Sequence, residues 1–354
     1  MVFEGKCRGL GRFNFLGESH KEKMAHMAHM AYEEQKALFE RSSFKTRAGM
    51  FLLHTVAETG ELVSRTRYKF TAEHAGGTPE GRRFLRAWFQ DGRKRFYDYV
   101  EHSYVKREDQ RSTVYYAFPE LRHVGLVSDS TEAERAANIE HFLDYVLLLV
   151  EDNPAYVEWL TMWLADILLR PGDKGPQPVA LILCCLSGEH GLSALMARML
   201  GERLVHVTRD PLKRGGILSD FNEALKHKLF VEFDEVDPAA HSRIKWMVKE
   251  RTHAILYPRK DGAIEVRACA RALVTTTAET ALVERGDRMY AAFTVSTRRV
   301  GDAAYWATHA AKLRDESYVT DVAGYLLSLS APYALGERPI TDLHRALQLR
   351  SLRS

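Results

Sequence analysis

Residues 170–178 read Arg-Pro-Gly-Asp-Lys-Gly-Pro-Gln-Pro, with three prolines and two glycines in nine residues. Proline lacks an amide hydrogen and has a fixed φ, so a run this dense fits neither a helix interior nor a central strand. The segment divides the chain into two textures. Before it, apolar residues recur at helical spacing: Leu85, Trp88, Phe89 and Phe96 within a helix predicted over 79–105. A second helical region, 138–169, holds Phe142, Tyr145, Val146, Leu149, Tyr156, Trp159, Leu160 and Trp163. After the break, short apolar runs at 179–186, 204–207, 229–233 and 272–276 alternate with helical stretches. Such alternation predicts an α/β fold with a mostly parallel sheet covered on both faces. The expected organisation is a mostly helical N-terminal domain (1–136), a helical lead-in with the Pro/Gly linker (137–178), an α/β core (179–330) and a C-terminal tail (331–354).

Charge and cysteine usage narrow the function classes. Fifty Lys+Arg against 47 Asp+Glu leave +3, which excludes a polybasic binder of the histone kind but not a local basic groove. The four cysteines, Cys7, Cys184, Cys185 and Cys269, show no zinc or disulfide spacing, so a reducing, intracellular setting is expected. No apolar run approaches the ~18 residues of a membrane span, and the N-terminus has no apolar signal core. Met24, His26, Met27 and His29 wrap around more than one face of a predicted helix, 21–41, and are read as packed or solvated rather than metal-binding.

The first apolar run after the break is followed by Ser187-Gly-Glu-His-Gly191 and then a helical stretch, the context in which a phosphate loop is read. Phosphate binding calls for glycines that let backbone amides approach, a lysine for the β/γ oxygens and a hydroxyl for magnesium. The candidate nucleotide-binding residues are Gly188, His190, Gly191, Ser193 and Ala194. Farther on, an apolar strand ends in Asp234-Glu235, a pair suited to holding a metal and orienting an attacking water.

In this order the motifs resemble the superfamily 3 helicase domain of phage and virus primase–helicases and primase–polymerases. The resemblance covers roughly the last 200 residues. Trp159 to Pro171 resembles the segment before that family's ATPase core, and Phe221-Asn222, Leu225 and Lys228 the stretch before its acidic strand. Asp234 and Glu235 fill its Walker B positions, Thr277 its sensor position, and Gly286-Asp287-Arg288 its arginine-finger segment. Arg338 to Asp342 resembles a terminal Pro-x-Thr motif. The resemblance implies an AAA+-type P-loop NTPase core, with Asp234, Glu235 and Arg288 catalytic, Asp234 as metal ligand, and ATP and Mg2+ as cofactors. It also implies a homo-oligomeric ring, a hexamer, that binds single-stranded DNA beside a separate primase or polymerase.

The departures are as informative. Laid on Gly191, the family's Gly-Lys-Ser falls on Ser193-Ala194-Leu195; shifted by two residues, the lysine falls on Leu192. No lysine lies between Lys174 and Lys213, the sensor asparagine is Thr277, and the second finger arginine is Met289. An impaired ATPase is expected, with His190 and Arg198 the nearest substitutes for the missing cation. Thr252 to Arg267 reads as two strands about an Asp261-Gly262 turn, a hairpin signal. By resemblance its tip residues Arg259 and Lys260 grip nucleic acid. Arg82, Arg83, Arg86, Arg93, Lys94 and Arg95 interleave with aromatics at core spacing and are read as the outer face of a packed helix. No Gly-x-Ser-x-Gly or His-Glu-x-x-His supports a hydrolase. The leading expectation is a helicase-like, nucleic-acid-binding replication protein; the competing class is a structural pseudo-ATPase in an oligomeric assembly.

Overall fold

The computed structural model describes residues 32–40, 43–46, 51–55, 62–75, 78–93, 96–97, 99–102, 114–117, 128–185, 190–256, 263–277, 283–284, 286–330 and 337–351. The chain separates into two units, 1–101 with 106–119 and 102–105 with 120–354. The division falls near residue 120, ahead of the sequence-expected boundary at 136.

The N-terminal unit holds strands as well as helices. Its described elements are α1 (Tyr32–Phe39), β1 (Ser43–Thr46), β2 (Phe51–Thr55), β3 (Leu62–Thr66), α2 (Arg67–His74), α3 (Pro79–Gln90) and β4 (Phe96–Tyr97). The sheet order is β3-β2-β1-β4, and β5 (Tyr99–His102) pairs separately with β6 (Val114–Ala117). The helix expected over 79–105 stops at Gln90. There the Asp91 amide donates back to the Ala87 and Trp88 carbonyls, and Lys36 holds the Asp91 carboxylate at 2.7 Å. Gly92 follows in the turn, and Phe96 belongs to a strand instead. Thr78 caps the start of α3 by accepting from the Gly81 amide at 3.0 Å. Phe84, Leu85 and Trp88 are buried with Phe39 and Phe70, while Arg82, Arg83 and Arg86 are exposed.

The C-terminal unit is built on five parallel strands: β7 (Ala180–Cys184), β8 (Val205–Thr208), β9 (Phe230–Asp234), β12 (Arg271–Thr276) and β13 (Tyr290–Thr294). Their spatial order is β13-β7-β12-β9-β8. Along β7, β9, β12 and β13 successive side chains point to opposite faces, and both faces are covered. Leu181, Leu183, Phe230 and Leu273 face one core with α4 (Glu132–Leu149), α5 (Pro154–Leu169), α6 (Leu192–Leu200) and α9 (Glu316–Ser328). Ala180, Ile182, Val231, Phe233 and Val274 face the other, with α7 (His241–Lys249) and α10 (Asp342–Ser351). The remaining helix, α8 (Ala303–Arg314), precedes α9, and β10 (Thr252–Leu256) pairs antiparallel with β11 (Ala263–Arg267). No helix among the described residues is long and apolar enough to cross a membrane.

The lead-in and the C-terminal segment both belong to this unit. Capped by a Thr131–Glu134 box, α4 lays Phe142, Tyr145 and Leu149 on the sheet. The Pro/Gly segment is pinned: Lys174 Nζ donates to the carbonyls of Met247, Val248 and Glu250 at 3.0, 2.8 and 2.8 Å, around the C-terminus of α7. Arg271 donates to Asp166 at 2.8 Å and to the Arg170 carbonyl at 3.0 Å, so β12 grips the same segment. Near the end of the chain, Leu347 of α10 is fully buried and Thr341 Oγ1 donates to the Ala292 carbonyl of β13. Residues 337–351 are a layer of the fold.

Candidate functional site

Parallel strands put all their carboxyl ends on one edge of the sheet. From β7 the chain moves toward β8, and from β12 it returns past β7 to β13, so the direction of winding reverses at β7. Open α/β sheets offer their ligand crevice at such a reversal, outside the carboxyl ends. The end of β7 at Cys184, Asp234 at the end of β9 with Glu235 just beyond, and Thr277 just beyond β12 lie on this edge.

The loop delivers the chain to α6 through Gly191, whose φ of +70° is left-handed. The left-handed φ is what favours glycine; a Cβ there would also lie 3.3 Å from His309 Nε2, a tight contact to which the ring would have to give slightly. Helix α6 starts at the next residue, Leu192, which is wholly buried; Ser193 is buried and Ala194 exposed. Gly188 lies outside the described residues. His190 is buried, and its Nδ1 accepts from the Leu192 amide at 3.2 Å, so the ring proton sits on Nε2. That proton is donated to Glu232 Oε1 at 3.0 Å. The Ser193 hydroxyl donates to Glu232 Oε2, and the Tyr145 hydroxyl to the His190 carbonyl. Glu232, 5% exposed in the middle of β9, therefore takes the side-chain hydrogen bonds of both His190 and Ser193, on either side of the Gly191 turn.

Asp234 is also engaged. Arg209, just after β8, donates to its Oδ2 at 2.7 Å, and Thr275 Oγ1 donates to Oδ1 at 2.9 Å. Glu235 is exposed, with a φ of +47°, a strained conformation for a non-glycine residue. Its amide bonds the Thr275 carbonyl at 3.1 Å, fixing the turn out of the strand. Thr277 is exposed one residue beyond β12. Arg288 is exposed beside Asp287, whose carboxylate binds Lys245 at 2.8 Å.

Behind the loop sits a ring cluster. His309 stacks on Tyr145 at 4.3 Å, and its Nδ1 meets His141 Nε2 at 3.2 Å. Burial, with some help from His141, pushes the His309 ring down to about 4, so it is neutral at pH 7. Arg198 lies on the far turn of α6 and pairs with Glu316 at 2.7 Å, away from the loop. Cys184 and Cys185 are buried, and burial pushes the Cys185 thiol up to about 12, which leaves it unreactive.

The hairpin forms where the sequence has it, with His253 opposite Val266 and Leu256 opposite Ala263. Asn222 clamps its first strand, donating to the Ala254 carbonyl and accepting from the Leu256 amide, both at 3.0 Å. Arg259 and Lys260 lie outside the described residues, as do Met24 to Met30. Sequence reasoning missed Glu232 and Arg209. The available signal for Glu232 was a single acid inside the apolar run Leu229 to Phe233, since a buried carboxylate requires donors.

No protein-family model matches the chain, and no curated protein matches it in sequence. Solved structures of the apo C-terminal region of NrS-1 do match in fold. One has a TM-score of 0.64 at 15% identity, covering 88% of this chain and 73% of that one. A second gives 0.64 at 14% identity with the same coverage, and a third 0.62 at 14%, covering 90% and 74%. At these identities the likeness is one of fold. It supports the α/β, P-loop-type architecture of the five-stranded core.

Proposed function

We propose that the chain is a helicase-like, nucleic-acid-binding protein of a viral or phage-type DNA replication module, with a degenerate superfamily 3 AAA+ core and an impaired ATPase. One observation carries the reading. A parallel sheet of order β13-β7-β12-β9-β8 sets β7 ahead of helix α6, β9 ending at Asp234 with Glu235 next, and β12 followed by Thr277, with these strand ends on one edge. The fold likeness to the NrS-1 C-terminal region supports the α/β, P-loop-type core on which the reading rests. As in the resembling family, the β10–β11 hairpin would present Arg259 and Lys260 to single-stranded DNA. Arg288, exposed on its own protomer, would act across a subunit interface in a homo-oligomeric, hexameric ring.

The residues present do not fit ATP and magnesium well. With α6 starting at Leu192, the Gly-Lys-Ser register falls on Gly191-Leu192-Ser193, and the lysine position is an apolar side chain with no exposure. The Ser193 hydroxyl is committed to Glu232, and both oxygens of Asp234 are taken by Arg209 and Thr275. Of the two substitutes expected for the missing cation, His190 has both ring nitrogens engaged, by the Leu192 amide and by Glu232, and Arg198 is paired with Glu316 away from the loop. Loss of one such electrostatic contact typically costs ~3–4 kcal/mol of transition-state stabilisation, two to three decades in rate.

The test combines oligomeric state, single-stranded DNA binding across a salt series, and ATP hydrolysis. Salt-sensitive binding by a ring without hydrolysis is expected. Steady-state hydrolysis that Asp234→Ala abolishes would overturn the ATPase assignment. A second reading, a structural pseudo-ATPase, is favoured by the internal satisfaction of Glu232 and Asp234; an oligomer with no affinity for nucleic acid would select it.

A further inference from the structure

The first turn of α6 is where a nucleotide-binding core presents donors to phosphate, because a helix N-terminus carries unpaired amides and partial positive charge. In this chain that turn already faces a carboxylate. Glu232 lies between Val231 and Phe233, which face the α7 side, so it projects from the opposite face of β9, toward α6. Its two oxygens are divided between two donors, Ser193 Oγ on the first turn and His190 Nε2 just before it. The ring donor is not free to turn away. His190 is held by the Leu192 amide on its other ring nitrogen and by Tyr145 on its carbonyl, and Tyr145 is itself stacked on His309. All three residues of the Ser193–Glu232–His190 group are at most 9% exposed.

We propose that Glu232 is the resident anion of the α6 N-terminus: its carboxylate occupies the oxyanion position, excludes external phosphate, and on removal leaves a site that takes inorganic phosphate or pyrophosphate. The inference rests on reading the core as P-loop-derived. A phosphate oxygen arriving at Ser193 would meet a second negative charge at hydrogen-bonding range, and with Leu192 at the lysine position no Lys or Arg among the described residues pairs with Glu232 to offset the repulsion. Take the carboxylate away, and the Ser193 hydroxyl and the His190 ring N–H converge on an empty volume at the positive end of a helix. An oxyanion restores both bonds. The missing lysine and the extra glutamate are then two halves of one change: the cradle has exchanged a diffusible ligand for a built-in one.

The full-length chain, its Glu232→Ala variant and its Glu232→Gln variant are to be melted in chloride, phosphate and pyrophosphate at matched ionic strength. Wild type should be indifferent to the anion. Glu232→Ala should melt lower than wild type in chloride. Phosphate or pyrophosphate at roughly ten times its dissociation constant should then raise it, saturably, by about 3–6 °C. Glu232→Gln, which keeps the volume filled, should show no such rise. Where Glu232→Ala fails to fold in every anion, Glu232→Thr, better suited to a strand, opens much of the same space and repeats the test. A folded opening variant indifferent to both anions overturns the inference, as does an equal response in wild type, which would mean the ion binds elsewhere. ATP hydrolysis by wild type would instead sink the impaired-ATPase reading, so the two failures are distinguishable.

Discussion

Asp321 of α9 ties the start of the C-terminal unit to its end, and its replacement by asparagine should be costly out of proportion to the change in shape. The carboxylate accepts from Ser128 Oγ at 2.5 Å, Ser130 Oγ at 2.7 Å and Asn138 Nδ2 at 2.8 Å, with Arg135 Nε at 3.5 Å. Its side chain has no exposure, so water cannot replace a lost partner. Hydrogen bonds to a charged group contribute about 1.5–3 kcal/mol each. Not all of that is lost in Asp321→Asn, because the amide keeps one acceptor oxygen. It does turn an amide N–H toward groups that are themselves donors, and about 2–4 kcal/mol of destabilisation is expected, in line with broken buried networks. For a unit of this size that is a drop of about 4–16 °C in Tm. The pH dependence gives a second, sharper readout. Burial pushes the Asp321 carboxyl up, but the donors Ser128, Asn138 and Ser130 outweigh it, and the group is held below its ordinary range. A depressed carboxylate stabilises the fold above its unfolded-state value and loses that contribution as pH falls through the folded one. Wild type should therefore lose stability on acidification below about pH 4, and Asp321→Asn should lose less over the same range. Calorimetry at pH 7 and through the acid limb decides. Melting within 1 °C of wild type (roughly the noise of the method), or an unchanged acid slope, would refute the argument.

Three further perturbations test other joints of the fold. Lys174→Met keeps the stem but strips three carbonyls at the end of α7 of their donor; about 2–4 kcal/mol should be lost in thermal or denaturant unfolding. The same variant should raise the His253 ring from about 4, where burial chiefly and the Lys174 charge secondarily hold it, as read by NMR titration. Gly191→Ala should cost about 1–2 kcal/mol from left-handed strain alone, with some added cost from the contact with His309, measured by chemical denaturation. Reversing Arg259 and Lys260 to glutamate should weaken single-stranded DNA binding and flatten its log–log salt dependence by about two ion equivalents, while leaving the melting temperature unchanged.

What the sequence made legible was order, and what it hid was partnership. The apolar runs at 229–233 and 272–276 became β9 and β12 almost residue for residue, because buried parallel strands must be apolar on both faces; the run at 204–207 became β8, an edge strand with Val207 exposed. β13 escaped notice because two central alanines dilute the strand signal of Tyr290, Phe293 and Thr294; pairing with its neighbour β7 makes it a strand. The overlong helix at 79–105 came from letting aromatic spacing run through Asp91-Gly92, where the stop is enforced by Lys36, a residue far earlier in the chain. At the site the same division holds. Gly191 and the strand ending in Asp234 announce themselves by local chemistry. By contrast, the donors to Glu232 come from residues 39 and 42 positions away, and the acceptors of Lys174 from 73 to 76 positions away. Even so, one inference was available without coordinates. Period-two alternation sets Glu232 opposite Val231 and Phe233, and a central parallel strand has no face open to water. A charge there must have dedicated donors, or else the strand is an edge. The observed order, with β9 flanked by β12 and β8, leaves only the first alternative, and the donors it requires are those of the phosphate loop itself.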